Sequence, residues 1–244
     1  MEKSKNNQCQ KNLLVISMDR KRAIFSYCNF QIHKVFPEYQ KAVIDKFNIF
    51  MDVDYKFLSY NAPDGEVFPD NAIDLGLKTL FYEENYTDVL ILDIDCIPLT
   101  SNAIHHTFEK TAEGYLIGNV QRSHHLQNSE HLFCGASCVG LSRETFDAIG
   151  RPSSKPTNRS DICEEFTWIC EEKNIPIEFY VPDRYEDVPF TQGYAWELDG
   201  KLKPYGIGTT FVNSKGVDYF YHLFESRTGL HVEKFLKRAK ALLD

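Results

Sequence analysis

The clearest hydrophobic pattern in the chain is the apolar run at residues 89–92, which leads into Asp93 and Asp95 and stops at Pro98. An uninterrupted apolar run of this length predicts a strand buried on both faces, as in the middle of a parallel sheet. Because side chains alternate along a strand, we expect the two aspartates on the same side of its carboxyl end. Ligands bind at that end in open α/β sheets, so the pattern predicts a functional site there.

The pattern elsewhere predicts strands alternating with helices. Residues 13–17 read as a first strand, and helical spacing runs from about residue 23 to 47, with Pro37 beginning a second helix or bending a long one. The remaining predicted helices are 70–85, 102–110, 162–173 and 232–243, and the remaining strands are 55–60, 115–118, 177–181 and 219–221. Ser142 is predicted to cap a further helix that ends at Gly150.

This alternation indicates an α/β fold with a mostly parallel central sheet flanked by helices. The 244 residues suit one domain with a sizeable core, and no stretch has the composition of a linker. We therefore interpret residues 1–11 as a disordered tail and residues 12–244 as a single domain.

Composition narrows the range of partners and compartments. The net charge of −8 opposes binding to nucleic acid, whose phosphates would be repelled, but permits a nucleotide bound through a metal. Seven cysteines without a C-x-x-C pair favour unpaired thiols in a reducing compartment, and we expect Cys134 and Cys138 in the core. The polar N-terminus and the absence of an 18-residue apolar run predict no integral membrane segment and a cytoplasmic protein.

The paired aspartates point to a divalent cation. Two like charges held close together need a neutralising partner, and oxygen ligands favour Mg²⁺ or Mn²⁺. A solvated strand end would explain Asp93 and Asp95 without any metal. Burial after a fully apolar run favours the metal, because buried carboxylates are costly when unpaired.

Four segments, taken in order, resemble a known family. Residues 72–76 (AIDLG) lie on the predicted helix before the Asp93-Ile94-Asp95 strand. Gly135-Ala136-Ser137 then runs toward Arg143 and a helix, and Ser160-Asp161 precedes another. In this order the segments resemble the motifs of GT-A glycosyltransferases, closest to the large inverting group with a D-x-D motif.

The resemblance implies a GT-A, Rossmann-like nucleotide-binding domain and a metal-dependent transfer reaction. The donor would be a nucleotide-diphosphate sugar, with a UDP-sugar favoured, and the acceptor a hydroxyl of a glycan or other molecule. Mn²⁺ or Mg²⁺ would be held by Asp93, Asp95 and, after the last apolar strand, His222. Asp161 would be the catalytic base, with inversion at the anomeric carbon.

The resemblance also implies donor contacts. Ser17, Asn61, Asp74 and Asp93 would bind the nucleotide sugar. Apart from the resemblance, the polar turn at residues 18–22 after the first predicted strand is a candidate position for nucleotide phosphates or base.

The chain departs from the family motifs at two positions. Asp74 replaces the family's asparagine, and Ser160 replaces the glutamate that precedes the family's base. Glu164 and Glu165, one helical turn later, are substitutes for the base.

Other functions remain as alternatives. A retaining GT-A transferase would use the same motifs. A haloacid-dehalogenase-like phosphatase would use Asp93 as nucleophile and Asp95 as acid, but it needs a downstream Asp-Asp pair that this sequence lacks. A nucleotidyltransferase needs a glycine-rich phosphate loop, whereas residues 18–22 are basic without glycine. A lectin-like module would explain the 14% aromatic content and not the carboxylate pair.

Overall fold

A computed structural model describes residues 20–29, 35–49, 52–60, 69–123, 131–188, 204–226, 229 and 231–244. The predicted tail and the predicted strand at 13–17 lie outside these residues, as do Ser17 and Asn61. No helix in the described part of the chain is both long and apolar enough to span a bilayer.

The described residues form strands and helices in alternation. The strands are β1 (Arg22–Asn29), β2 (Val53–Tyr60), β3 (Asp88–Asp93), β4 (Cys96–Pro98), β5 (Leu116–Arg122), β6 (Leu132–Ser142), β7 (Ile177–Arg184), β8 (Thr209–Val212) and β9 (Asp218–His222). The helices are α1 (Phe36–Phe47), α2 (Pro69–Lys78), α3 (Ser101–Ala112), α4 (Arg143–Ala148), α5 (Glu164–Glu172) and α6 (Val232–Leu243). A π-helical turn, Thr79–Glu83, continues α2 toward β3.

The strands of the described residues make one sheet in the order β2-β1-β3-β6-β5-β7-β8-β9-β4. Strands β2, β1 and β3 are mutually parallel, and β5 is parallel to β7. Since β6 is antiparallel to both β3 and β5, these two strands run in the same direction. The parallel strands of the sheet are therefore β2, β1, β3, β5 and β7. The predicted α/β class with a mostly parallel central sheet is confirmed, and β8, β9 and β4 extend it with antiparallel pairs.

Strand β3 is buried on both faces, as its apolar run predicted. Leu90 and Leu92 belong to a core cluster that includes residues of α1, α3 and α6. Val89 and Ile91 face the opposite cluster, which includes residues of α2, α4 and α5. The alternation of β3 side chains therefore joins two helical layers across the sheet.

Helix α2 approaches β1 closely at one glycine. A Cβ built on Gly76 would lie 2.3 Å from ring carbons of Phe25, so glycine is required by this packing. The glycine in the segment that resembles the family motif thus has a structural role in this chain.

The predicted helical stretch from residue 23 to 47 is wrong in its first part. Residues Arg22–Asn29 form strand β1, and the helix among the described residues of this stretch is Phe36–Phe47, with Pro37 in its first turn. Strand β1 lies between β2 and β3, and all its residues from Ala23 onward are buried. Burial on both faces removes the polar positions that reveal a period of two, so the hydrophobic pattern predicts a helix where the chain forms a strand.

The basic turn before β1 does not lie at the functional edge of the sheet. Arg20 donates two hydrogen bonds to Asp88, at 2.6 and 2.9 Å. Asp88 is fully buried, begins β3 and also accepts a bond from Thr111 Oγ1 at 2.8 Å. The described part of this turn thus lies at the amino end of β3, at the opposite end of the strand from Asp93.

The Arg20–Asp88 pair generates a stability prediction. Asp88→Ala removes the buried carboxylate that accepts two bonds from Arg20 and leaves the guanidinium only a 3.4 Å contact with the exposed Glu144, so we expect a loss of about 3 kcal/mol in the free energy of unfolding. Asp45→Ala removes a carboxylate from the exposed Lys41–Asp45 pair and is expected to cost less than about 0.5 kcal/mol. Urea denaturation measures both, and equal losses would contradict the assignment.

Candidate active site

Strand pairing brings His222 to the two aspartates at the carboxyl end of β3. Residues 94 and 95 form a turn into β4, which pairs antiparallel with β9 so that Cys96 lies opposite His222. The amide of Leu223 donates to the carbonyl of Asp95 at 3.1 Å. The end of β9 is therefore fixed beside the turn that carries the carboxylates.

Asp93, Asp95 and His222 converge on one point. His222 Nε2 lies 3.1 Å from Asp95 Oδ1 and 4.0 Å from Asp93 Oδ2. One ligand atom from each residue lies within 4.8 Å of the others. Asp95 and His222 are buried, while the side chain of Asp93 is 31% exposed and is thus the member of the group open to an incoming ligand.

The charge of this group suits a cation. Burial, and then the charge of Asp95, raise the pKa of the Asp93 carboxyl above its usual range, against the opposing effect of His222. Two carboxylates and one imidazole are chemically suitable ligands for a divalent ion. The ring of His222 packs 3.8 Å, centroid to centroid, from that of Phe224, which restricts the imidazole plane.

Asp161 lies just before α5 and does not cap it. The helix begins at Glu164, later than predicted, and its N-cap is Cys163, whose φ of 66° is left-handed. Asp161 Oδ1 accepts a hydrogen bond from the amide of Ile162 at 2.7 Å. Its own amide donates to Glu164 Oε2 at 2.6 Å. The carboxylate of Asp161 is half-buried, in a segment fixed from both sides.

Asp161 and Asp93 both affect the ionisation of the same buried thiol. Burial raises the pKa of the Cys163 thiol well above its usual value, and the charges of Asp93 and Asp161 both add to this effect. Asp161 also contributes to the raised pKa of Tyr205, whose main cause is burial. The Tyr205 ring lies 5.2 Å from that of Phe224, the residue that packs on His222.

The two glutamates considered as substitute bases have other partners. Glu164 is fully buried, and its Oε1 lies 2.7 Å from Nδ1 of His131, a residue that the sequence did not single out. Glu165 is bonded by the guanidinium of Arg159, and this hydrogen bonding lowers the pKa of its carboxyl. A lowered pKa makes Glu165 a weaker base.

The side chain of Asp74 forms hydrogen bonds with other residues of the chain. Its carboxylate accepts bonds from Ser153 Oγ at 2.5 Å and from the amide of Ser154 at 2.7 Å. It borders an open cavity of about 490 Å³, lined by Asp74, Lys78, Tyr82, Phe146, Arg151, Pro152 and Ser153. Asp93, Asp95 and His222 are not among the residues lining this cavity.

Strand β6 carries the Gly135-Ala136-Ser137 segment toward the site. Ser137 Oγ lies 3.3 Å from Nδ2 of Asn119, a fully buried residue of β5 whose amide also lies 3.9 Å from Cys96 Sγ. No pattern in the sequence singles out Asn119. At the far end of β6, Ser142 Oγ accepts a bond from the Thr145 amide at 3.0 Å, so the predicted cap of α4 is confirmed.

The thiols agree with the sequence interpretation. Cys134 and Cys138 are fully buried, as predicted, and the described cysteines are all unpaired and buried.

Comparisons with known proteins gave structural matches only. No protein-family model matches the sequence, and no curated protein does so either. One solved match is the galactosyltransferase LgtC in complex with donor and acceptor sugar analogs, at 10% identity and a TM-score of 0.45, covering 91% of this chain and 96% of that one.

Two further solved structures are similar over much of the chain. A glycosyltransferase involved in the glycosylation of the major capsid of PBCV-1 matches at 10% identity and a TM-score of 0.48, covering 91% of this chain and 98% of that one. A197 from STIV matches at 17% identity and a TM-score of 0.38, covering 64% and 80%. At these identities and TM-scores, the similarities decide nothing about what this chain binds or transfers.

The raised pKa of Asp93 generates a prediction for the metal-free protein. An acid whose pKa is raised by folding destabilises the folded state when ionised, fully so above the folded pKa. Asp93→Asn removes this charge beside Asp95, so we expect a higher melting temperature than the parent in EDTA at pH 8. The difference should shrink as the pH falls through the raised pKa of about 6 and vanish only below the ordinary value of 3.8, where the carboxyl is protonated in both states.

Differential scanning fluorimetry at several pH values measures this difference. Asp52→Asn, at an exposed position, is the matched control and should behave as the parent does. A variant at position 93 that melts below the parent at pH 8 would show that the ionised carboxylate is stabilised by the apo protein.

Proposed function

We propose that this chain is a metal-dependent glycosyltransferase that moves a sugar from a nucleotide-diphosphate sugar, with UDP favoured, to a hydroxyl of a glycan or other acceptor. The observation that carries the proposal is the convergence of Asp93, Asp95 and His222 at the carboxyl end of the central strand. A pair of like charges, one of them buried, is costly to the protein unless it serves a ligand. The motif order that resembles GT-A glycosyltransferases supports the same function.

In this proposal the three converging residues hold Mn²⁺ or Mg²⁺. An imidazole beside two carboxylates favours Mn²⁺, because nitrogen ligands suit transition metals better than magnesium. A divalent ion at this position supplies charge neutralisation for the diphosphate of the donor. Asp93, the exposed member, also contacts the donor, together with Ser17, Asn61 and Asp74.

Asp161 acts in this proposal as the general base. Its amide is held by the buried Glu164, which leaves the half-buried carboxylate positioned to accept a proton from the acceptor hydroxyl. Deprotonation makes the hydroxyl oxygen a better nucleophile. As it bonds to the anomeric carbon, the bond from that carbon to the donor's phosphate oxygen breaks, the nucleoside diphosphate leaves, and this single displacement inverts the configuration. Glu165, paired with Arg159, is less suited to this role.

The metal assignment predicts a coupled thermal shift. Ligand at 100 times its dissociation constant stabilises a protein by about 2.7 kcal/mol, which is roughly 5 to 10 °C for a domain of this size. We expect UDP with Mn²⁺ to raise the melting temperature by this amount, and UDP in EDTA to have little effect. Asp95→Asn should remove the Mn²⁺-dependent part while the apo protein remains folded.

An equal shift with UDP in EDTA would contradict the metal assignment. An aryl phosphate assay with Mg²⁺ distinguishes the proposed transferase from the alternative phosphatase. A phosphatase would hydrolyse the generic ester, and we expect this chain not to do so.

The base assignment predicts a loss of rate without a loss of binding. Asp161→Asn keeps the size and the acceptor for the Ile162 amide but removes the basicity, so UDP affinity and fold should survive. Turnover with a nucleotide-sugar donor should fall by roughly 10²- to 10⁴-fold. Steady-state rates and UDP titrations on the same preparation measure the two quantities.

Glu165→Gln is the matched control, since it removes a neighbouring carboxylate bonded to Arg159. We expect it to retain nearly the parent rate. If the turnover rate collapses in Glu165→Gln and not in Asp161→Asn, the general base is Glu165. If both variants keep the parent rate, the inverting assignment fails and a retaining transferase without a protein base is favoured.

A further inference from the structure

The turn that carries the two aspartates is bonded by one buried amide from helix α1. Gln40 Nε2 donates to the carbonyl of Asp93 at 2.7 Å and to the carbonyl of Cys96 at 2.7 Å. Gln40 is fully buried. A single –NH₂ group is therefore hydrogen-bonded to both ends of the turn that contains Asp95.

The orientation of this amide is fixed from strand β2. Tyr55 donates its hydroxyl hydrogen to Gln40 Oε1 at 2.9 Å, which makes that side of the amide the acceptor. The –NH₂ side must then face the two carbonyls, and both of its hydrogens are used. Ionised glutamate has no hydrogen to donate and methionine has none, so only the amide satisfies all three contacts at this length.

The turn is held from its other side by β9. The Leu223 amide donates to the carbonyl of Asp95, so the carbonyls of Asp93, Asp95 and Cys96 are each bonded by a group from elsewhere in the chain. Loss of the Gln40 bonds would leave two carbonyls in or near the core without these donors and free the turn to shift. A shift of the turn would separate the Asp93 and Asp95 carboxylates from His222.

We propose that Gln40 is a positioning residue for the metal site, with Tyr55 fixing its amide. This inference rests on the proposed function, because it assumes that Asp93, Asp95 and His222 bind a divalent ion. Groups that orient metal ligands without touching the metal typically change metal affinity by about 10- to 100-fold when they are replaced. Gln40 acts through the backbone that carries the ligands.

The test compares Mn²⁺ affinity among three variants of the full chain. Gln40→Met keeps the side-chain length and removes both donors, and Tyr55→Phe removes only the hydroxyl that orients the amide. Tyr180→Phe is the matched control, because it also removes a buried tyrosine hydroxyl, one bonded to Thr107 Oγ1 at 2.7 Å. Electron paramagnetic resonance counts free Mn²⁺ during titration, at a temperature where circular dichroism shows each variant folded.

We expect Gln40→Met to weaken Mn²⁺ binding by about 10- to 100-fold. Tyr55→Phe should weaken Mn²⁺ binding by at least about threefold but by less than Gln40→Met does, because it removes the bond that orients the amide and leaves the amide itself in place. Tyr180→Phe should bind Mn²⁺ as the parent does, although its melting temperature falls about as far as that of Tyr55→Phe. A purely structural role for Gln40 and Tyr55 would change stability alone.

Each other outcome overturns the inference. If the parent binds Mn²⁺ and both site variants bind it equally well, the role of Gln40 is refuted while the metal site stands. If Gln40→Met does not fold, Tyr55→Phe decides alone, and an affinity equal to that of Tyr180→Phe is the refuting result. If the parent binds no Mn²⁺, the proposed metal site fails and the role of Gln40 fails with it.

Discussion

The repulsion between Asp93 and Asp95 is the constraint on which the candidate site depends. Asp93 ends a strand that is buried on both faces and Asp95 lies in the turn that follows, so the backbone of the sheet holds the two carboxylates close together. Burial and mutual charge raise the pKa of Asp93, which is the physical sign that the ionised pair is unfavourable in the apo protein. The imidazole of His222 offsets part of this cost, and a cation would offset more.

The sheet is built in a way that keeps this unfavourable group together. The antiparallel strands β8, β9 and β4 extend the sheet beyond β7, and they return the chain so that His222 lies opposite Cys96. Helix α1 contributes the amide of Gln40 from the other side of the turn. The two aspartates are thus fixed through their backbone.

Near α5, environment separates three acidic residues that the sequence presents as equivalent. Glu164 is fully buried and bonds to His131 and to the amide of Asp161. Glu165 is neutralised by Arg159 near the surface. Asp161 remains half-buried, with its carboxylate bonded to the next amide. The same functional group therefore has three different environments within one turn of chain.

The sequence by itself determined the features that depend on short-range patterns. The apolar run of β3 and the period of α6, Val232–Leu243, were predicted at nearly their observed positions, as was the Ser142 cap. These succeed because periodicity and capping involve neighbours within a few residues. The prediction for strand β1 was wrong because burial on both faces removes that periodicity.

Only the tertiary structure decided which polar groups meet. A strand ending in His222 was expected from the sequence, but its contact with Asp95 follows from the pairing of β4 with β9. The bonds of Gln40 to the turn at 93–96, of Asp74 to Ser153, and of Arg20 to Asp88 join residues far apart in the chain. Such contacts leave no periodic trace, because each depends on how distant strands and helices pack and not on the residues beside it.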